Sequence, residues 1–205
     1  MTVPERQYLY TRFERFWHWS QALFVSGLLI TGFELHGSLA LLGFARALAV
    51  HEAIAVALVV LWALAWFWHL TTGEWRQYRP APWPRLRAMI RYYLYDIFLG
   101  RSHPFRRERS RKLNPLQRLA YLALHLGISP TLWVSGLALL AYGAWNHWDR
   151  TLPALAAVAQ AHVLAAYAML AFLIVHLYLS LATSEQPFAY LRAMITGYEE
   201  RPGGS

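Results

Sequence analysis

The sequence predicts an all-α fold, a transmembrane four-helix bundle with an interfacial cytoplasmic helix between helices two and three. Three observations lead there. Four stretches of this 205-residue chain are apolar over the roughly 20 residues needed to cross a bilayer. Lysine and arginine crowd into alternate connections. Histidines recur inside the apolar stretches, where polar groups are costly.

The first span is placed at residues 16–35, flanked by Arg12 and Arg15. It is long and aromatic, so it reads as a retained helix and not as a cleaved leader. The second is placed at 47–70, the third at 119–142 and the fourth at 154–182. Residues 71–118 form a cytoplasmic insertion in what is otherwise a single membrane domain covering 1–205. Pro80, Pro82 and Pro84 end the segment after the second span. From Trp83 to Tyr95, arginines alternate with aromatics and aliphatics at helical spacing, which suits a helix lying flat at the lipid surface. The charge run from Arg101 to Lys112 reads as a solvated turn. Asn114-Pro115 reads as a helix start, with an N-cap followed by proline in the first turn. Mean hydropathy is only +0.27 because the arginine-rich insertion dilutes the spans.

Orientation follows from the basic residues. The first tail holds Arg6, Arg12 and Arg15, the insertion holds twelve between Arg76 and Arg118, and the last tail holds Arg192 and Arg201. The other two connections hold only Arg46 and Arg150. Both termini and the insertion are therefore expected on the cytoplasmic side of a multi-pass membrane protein. The net charge of +8 is then a topology signal and a contact with anionic membrane lipid. No nucleic-acid partner is expected, because the charge flanks membrane spans.

The chain has no cysteine, which excludes iron–sulfur clusters, Cys-x-x-Cys-His haem attachment and disulfides. It has nine histidines. His162 and His176 lie fourteen apart in the last span, close to a whole number of helical turns and a rise of roughly 21 Å. Both imidazoles face one way at two depths. His18 sits at the cytoplasmic end of helix one, and His51 near the external end of helix two. Depth pairs His51 with His162 outside and His18 with His176 inside. Two stacked haems, each held by one imidazole above and one below, fit that arrangement. Plain histidines bonded across helices are the alternative. His69 shares a face with His51, eighteen residues on, and could compete with His18 as a ligand or donate to a haem propionate or a quinone. Arg15 and Arg12 could pair with propionates inside and Arg46 outside, or serve only as topology charges. His125 reads as bonding a neighbouring helix or a quinone. His36, His103 and His147 read as solvent-exposed. Ser26-Gly27, Thr31-Gly32 and Ser135-Gly136 let a macrocycle, or another helix, approach closely.

Arg15-Phe16-Trp17-His18-Trp19, Thr31-Gly32, His51 and the His162/His176 pair together resemble the bacterial di-haem cytochrome b family that anchors respiratory enzymes. Its members include the b-type subunit of nickel–iron hydrogenase, the formate dehydrogenase γ subunit, the thiosulfate reductase b subunit and stand-alone b561 proteins. The tail Arg192-Ala193-Met194-Ile195-Thr196-Gly197-Tyr198 looks like the hydrogenase and thiosulfate reductase branch. The resemblance implies two haem b groups, with His18/His176 and His51/His162 as axial pairs. It also implies a quinone site near the cytoplasmic haem. Asn114-Pro115-Leu116-Gln117-Arg118 resembles an element of that site in the formate dehydrogenase γ subunit, making Asn114 the quinone-contact candidate. The expected function is electron transfer between an extracytoplasmic redox subunit (iron–sulfur, molybdenum or multihaem type) and the quinone pool. His69, Glu14, Glu74 and Asp96 are candidate proton carriers for the quinone. The alternative is a stand-alone b561-type quinone-linked oxidoreductase acting on a small diffusible substrate.

Overall fold

In a computed structural model, residues 5–101, 104–105, 111–144, 152–182 and 188–201 are described. Nearly all are helical. Strand β1 (Glu5–Tyr8) leads to α1 (Arg12–Leu35) and α2 (Phe44–Thr72). A 3₁₀ turn, Glu74–Tyr78, precedes α3 (Trp83–Arg91), which runs on through a π-helical turn at Tyr92–Asp96. Helix α4 (Pro115–Ala123) continues through a second π turn, Leu124–Ile128, into α5 (Ser129–Ala144). Helices α6 (Leu152–Ala182) and α7 (Ala189–Thr196) follow, then β2 (Tyr198–Arg201).

Three helical stretches are long and apolar enough to cross a membrane: Phe44–Thr72, Pro115–Tyr142 and Ala154–Leu181. They coincide with the second, third and fourth expected spans. Helix α1 has the length, but the run Trp17-His18-Trp19-Ser20-Gln21 in its first half lowers its hydropathy. The burial pattern is inverted relative to a water-soluble bundle. Leu23, Phe67, Val134 and Leu164 are each about 70% exposed, while Thr31, Glu34 and Ser135 are buried. Apolar side chains point outward where lipid is the solvent, and polar ones turn inward to find partners.

The chain divides into two compact units. The first groups α1, α2, the C-terminal part of α6, α7 and the strand pair. Helix α1 opens on a capping box: Thr11 Oγ1 accepts from Glu14 N–H (3.3 Å) and Glu14 Oε2 accepts from Thr11 N–H (2.7 Å). At its other end Glu34 Oε1 accepts from the amides of Leu41, Leu42 and Gly43 (2.9, 2.6 and 2.7 Å), which pins the turn into α2. Strands β1 and β2 pair antiparallel, Glu5 opposite Arg201 and Tyr8 opposite Tyr198. Gly197, at φ +90°, ends α7 and accepts from Leu9 N–H (2.8 Å). Arg15 Nη1 and Trp19 Nε1 donate to the Ile195 and Met194 carbonyls (2.6 and 3.2 Å), so α1 caps the end of α7.

The second unit holds the 72–139 segment and the N-terminal part of α6. Asn114 Oδ1 accepts from Gln117 N–H (2.8 Å) and Gln117 Oε1 from Asn114 N–H (3.0 Å), confirming the expected N-cap. One expectation is corrected. Lys112, assigned above to a solvated turn, is 4% exposed. Its Nζ donates to Glu74 Oε2 (3.1 Å) and its backbone N–H to Gln77 Oε1 (3.1 Å). The 3₁₀ turn supplies both acceptors, and this drives the burial of the lysine. Most of the run between Arg101 and Arg111, with His103, lies outside the described residues, as do His147 and Arg150.

Candidate haem site

His18 and His176 come together in the first unit. The His18 ring, on α1, and the His176 ring, on α6, have centroids 6.2 Å apart at 51°. Two imidazoles bound to opposite faces of one iron, each through a metal–nitrogen bond of about 2 Å, have centroids roughly 6 Å apart. The separation thus matches two imidazoles sharing one metal ion and is too long for a direct hydrogen bond between the rings. His18 Nδ1 is buried with no hydrogen-bond partner among the described residues, so that nitrogen is not satisfied as a structural histidine's would be. The Phe172 ring stacks on His176 (6.1 Å, 5°) and Trp19 meets His18 edge-on (5.2 Å), which fixes both ring planes. These residues fit a haem.

His51 and His162 are set differently from His18 and His176, and alike. In the first unit, His51 Nδ1 lies 2.9 Å from Thr31 Oγ1, and that hydroxyl also reaches the Gly27 carbonyl (2.8 Å). In the second unit, His162 Nδ1 lies 2.9 Å from Ser135 Oγ, whose hydroxyl also reaches the Thr131 carbonyl (2.5 Å). A glycine follows each hydroxyl residue. A Cβ on Gly32 would meet His51 Cε1 at 3.5 Å; one on Gly136 would meet His162 Cε1 at 3.2 Å. Of the two expected uses of these glycines, the structure shows the close approach of another helix, made through its imidazole.

The remaining candidates are placed as follows. His69 anchors its Nδ1 on the Ala65 carbonyl (2.8 Å), with its ring edge-on to Trp17 and Trp68. Arg15 caps α7, and its Nε is buried without a partner among the described residues. Asn114 is buried and committed through Oδ1 to its cap. His125 lies in the second π turn with its ring against Tyr78 (5.2 Å). Among the proton candidates, Glu14 serves the α1 capping box, Glu74 pairs with Lys112, and Asp96 pairs with Arg101 (2.8 Å). His36 is exposed. Sequence reasoning missed the hydroxyl contacts of His51 and His162. The Thr-Gly and Ser-Gly dipeptides were the available signal, read for their small size and not for their oxygen.

Apolar helices carrying half-buried imidazoles, two of them at a metal-sharing distance, point to the class of membrane cytochromes. The chain belongs to the prokaryotic cytochrome b561 family, whose profile matches residues 9–197. It is 31% identical over 206 residues to the Escherichia coli (strain K12) protein named "Putative cytochrome YdhU", covering 95% of this chain and 75% of that one. No solved structure matches. The family assigns a b-type haem, a membrane location and electron transfer.

Proposed function

We propose that this protein is a di-haem subunit of the bacterial inner membrane that passes electrons between an extracytoplasmic redox partner and membrane quinone. In this reading α1 joins the three apolar helices as the fourth span of a bundle. Helix α3, with Met89 buried and Trp83 exposed, lies at the cytoplasmic interface. The observation that carries the reading is the 6.2 Å spacing of His18 and His176. The second axial pair, His51 with His162, rests on their depth in sequence and on the family resemblance.

Haem supplies a one-electron couple at each histidine pair, and two-histidine ligation suits electron transfer because no iron position stays open. The chain does the rest. His18 and His176 present their rings from separate helices, and Phe172 and Trp19 fix the ring planes. The Arg15 guanidinium, next to His18 along the chain, offers positive charge to a propionate. At the start of α4, Asn114 is the proposed quinone contact. His69, on α2, is the candidate for a propionate or for a quinone proton.

A pyridine-haemochrome assay on purified protein tests this. Two haems per chain are expected in the wild type, and one each in His18→Ala and His51→Ala. A colourless wild type, or full loading at one haem, sinks the reading. Quinol oxidation by the isolated chain with a small diffusible acceptor, and no partner present, would favour a stand-alone oxidoreductase.

A further inference from the structure

We propose that Thr31 and Ser135 are positioning residues that fix the tautomer and ring plane of His51 and His162 and set the potential of the haem each histidine holds. The inference rests on the haem reading above. It assigns the residues behind the ligands a task the family assignment does not contain.

A hydroxyl carries a single hydrogen and two lone pairs. Thr31 Oγ1 is 2.8 Å from the Gly27 carbonyl and 3.3 Å from that of Leu28, and a carbonyl can only accept. The hydroxyl hydrogen therefore goes to its own helix, four residues back. What faces His51 Nδ1 at 2.9 Å is a lone pair, so Nδ1 is the protonated nitrogen. Ser135 repeats the arrangement: its hydroxyl donates to the carbonyls of Thr131 and Leu132, and His162 Nδ1 lies 2.9 Å away. With Nδ1 protonated, Nε2 bears the lone pair that a metal requires.

The glycine completes the device. Gly32 and Gly136 each follow the hydroxyl residue and leave room for the imidazole Cε1 edge. A side chain at Gly136 would press on His162 at 3.2 Å and tilt it off its acceptor. Hydroxyl and glycine together thus hold the ring in position and orientation. A ligand histidine whose second nitrogen donates a hydrogen bond is more basic, and a more basic ligand favours the oxidised iron. The contrast lies within this chain. His18 Nδ1 has no hydrogen-bond partner among the described residues, and no hydroxyl is bonded to it. Two haems with chemically similar axial ligands are thereby given different surroundings, which separates their potentials.

The experiment is an optical redox titration of purified full-length protein with haem content measured in parallel. Thr31→Val keeps the shape and removes the oxygen; Ser135→Ala does the same at the second position. Each is expected to raise the midpoint of one haem and leave the other unchanged, and to weaken retention of that haem by about 10-fold to 100-fold. Thr31→Ser keeps the hydroxyl and is expected to restore the wild-type midpoint. Thr71→Val removes a hydroxyl that bonds only its own helix and is expected to move neither haem. Unchanged midpoints in both Thr31→Val and Ser135→Ala overturn the proposal. So does equal haem loss in Thr31→Val and Thr31→Ser, which would make the position one of packing. A colourless wild type instead overturns the haem reading itself. Midpoint shifts on two different haems would uphold the hydroxyl role and overturn the pairing of His51 with His162.

Discussion

A buried Lys112 shows how much a single residue can depend on its partner. Its side chain is 5% exposed and that of its carboxylate partner Glu74 23% exposed. Removing one member of such a pair leaves an uncompensated buried charge, a loss of about 3 kcal/mol at the low end for buried pairs. Glu74→Gln is therefore expected to lower the thermal unfolding midpoint in detergent, while Glu74→Leu with Lys112→Met recovers most of the loss. An additive double variant would show that the two side chains are not coupled. At the candidate site, His18 and His176 illustrate what sequence can reveal at this scale. Their residue type and depth were legible, because histidine is rare inside apolar runs. The oxygen behind His51 was not. A threonine or serine in a membrane helix usually bonds its own backbone, and only coordinates reveal a second partner.

Among elements, the apolar spans were legible to within a few residues at each end. Length and hydropathy decide them, and both are local properties. The clasp of β1, β2 and α7 was not. Its strands are four residues long and meet across almost the whole chain, so no local pattern announces them. The two π turns were equally invisible, since one extra residue in a helical turn leaves the hydrophobic pattern nearly intact. The clasp hinges on Gly197. Its φ of +90° disfavours any side chain, and a Cβ there would meet the Tyr10 carbonyl oxygen at 2.8 Å and Tyr8 Cε2 at 3.0 Å. Gly197→Ala should cost about 1–2 kcal/mol from the backbone conformation alone, with the clash added. Hydrogen exchange checks this directly. The amides of Leu9 and Tyr10, both bonded to the Gly197 carbonyl, should lose protection, whereas amides in the middle of α2 should not change. The cap of α4 gives a second test at this scale. Asn114→Ser keeps a capping oxygen and should hold stability, and Asn114→Ala should lose about 1 kcal/mol. If Asn114 also touches quinone, both variants raise the quinone KM; if it is only a cap, Asn114→Ser leaves KM unchanged.

At the scale of the whole molecule, the distribution of charge and the absence of cysteine combine into one decisive test of orientation. Basic residues crowd the two tails and the segment between α2 and α4, while the connection from α1 to α2 carries none, the nearest being Arg46 in the first turn of α2. Arginine resists translocation, so that short connection should face outward. Glu34 folds it tightly onto the start of α2 through three amide hydrogen bonds, which leaves Ser38 exposed at the turn. Because the chain has no cysteine of its own, Ser38→Cys or Pro104→Cys creates a single reactive thiol on an unlabelled background. A membrane-impermeant maleimide added to intact spheroplasts should label Ser38→Cys and spare Pro104→Cys, which should react only after lysis. Reversed labelling would put the basic segment outside and move His18 and His176 to the external face. Electrons from an extracytoplasmic partner would then enter at that pair, and the quinone site proposed at Asn114 would lie on the same side as the partner.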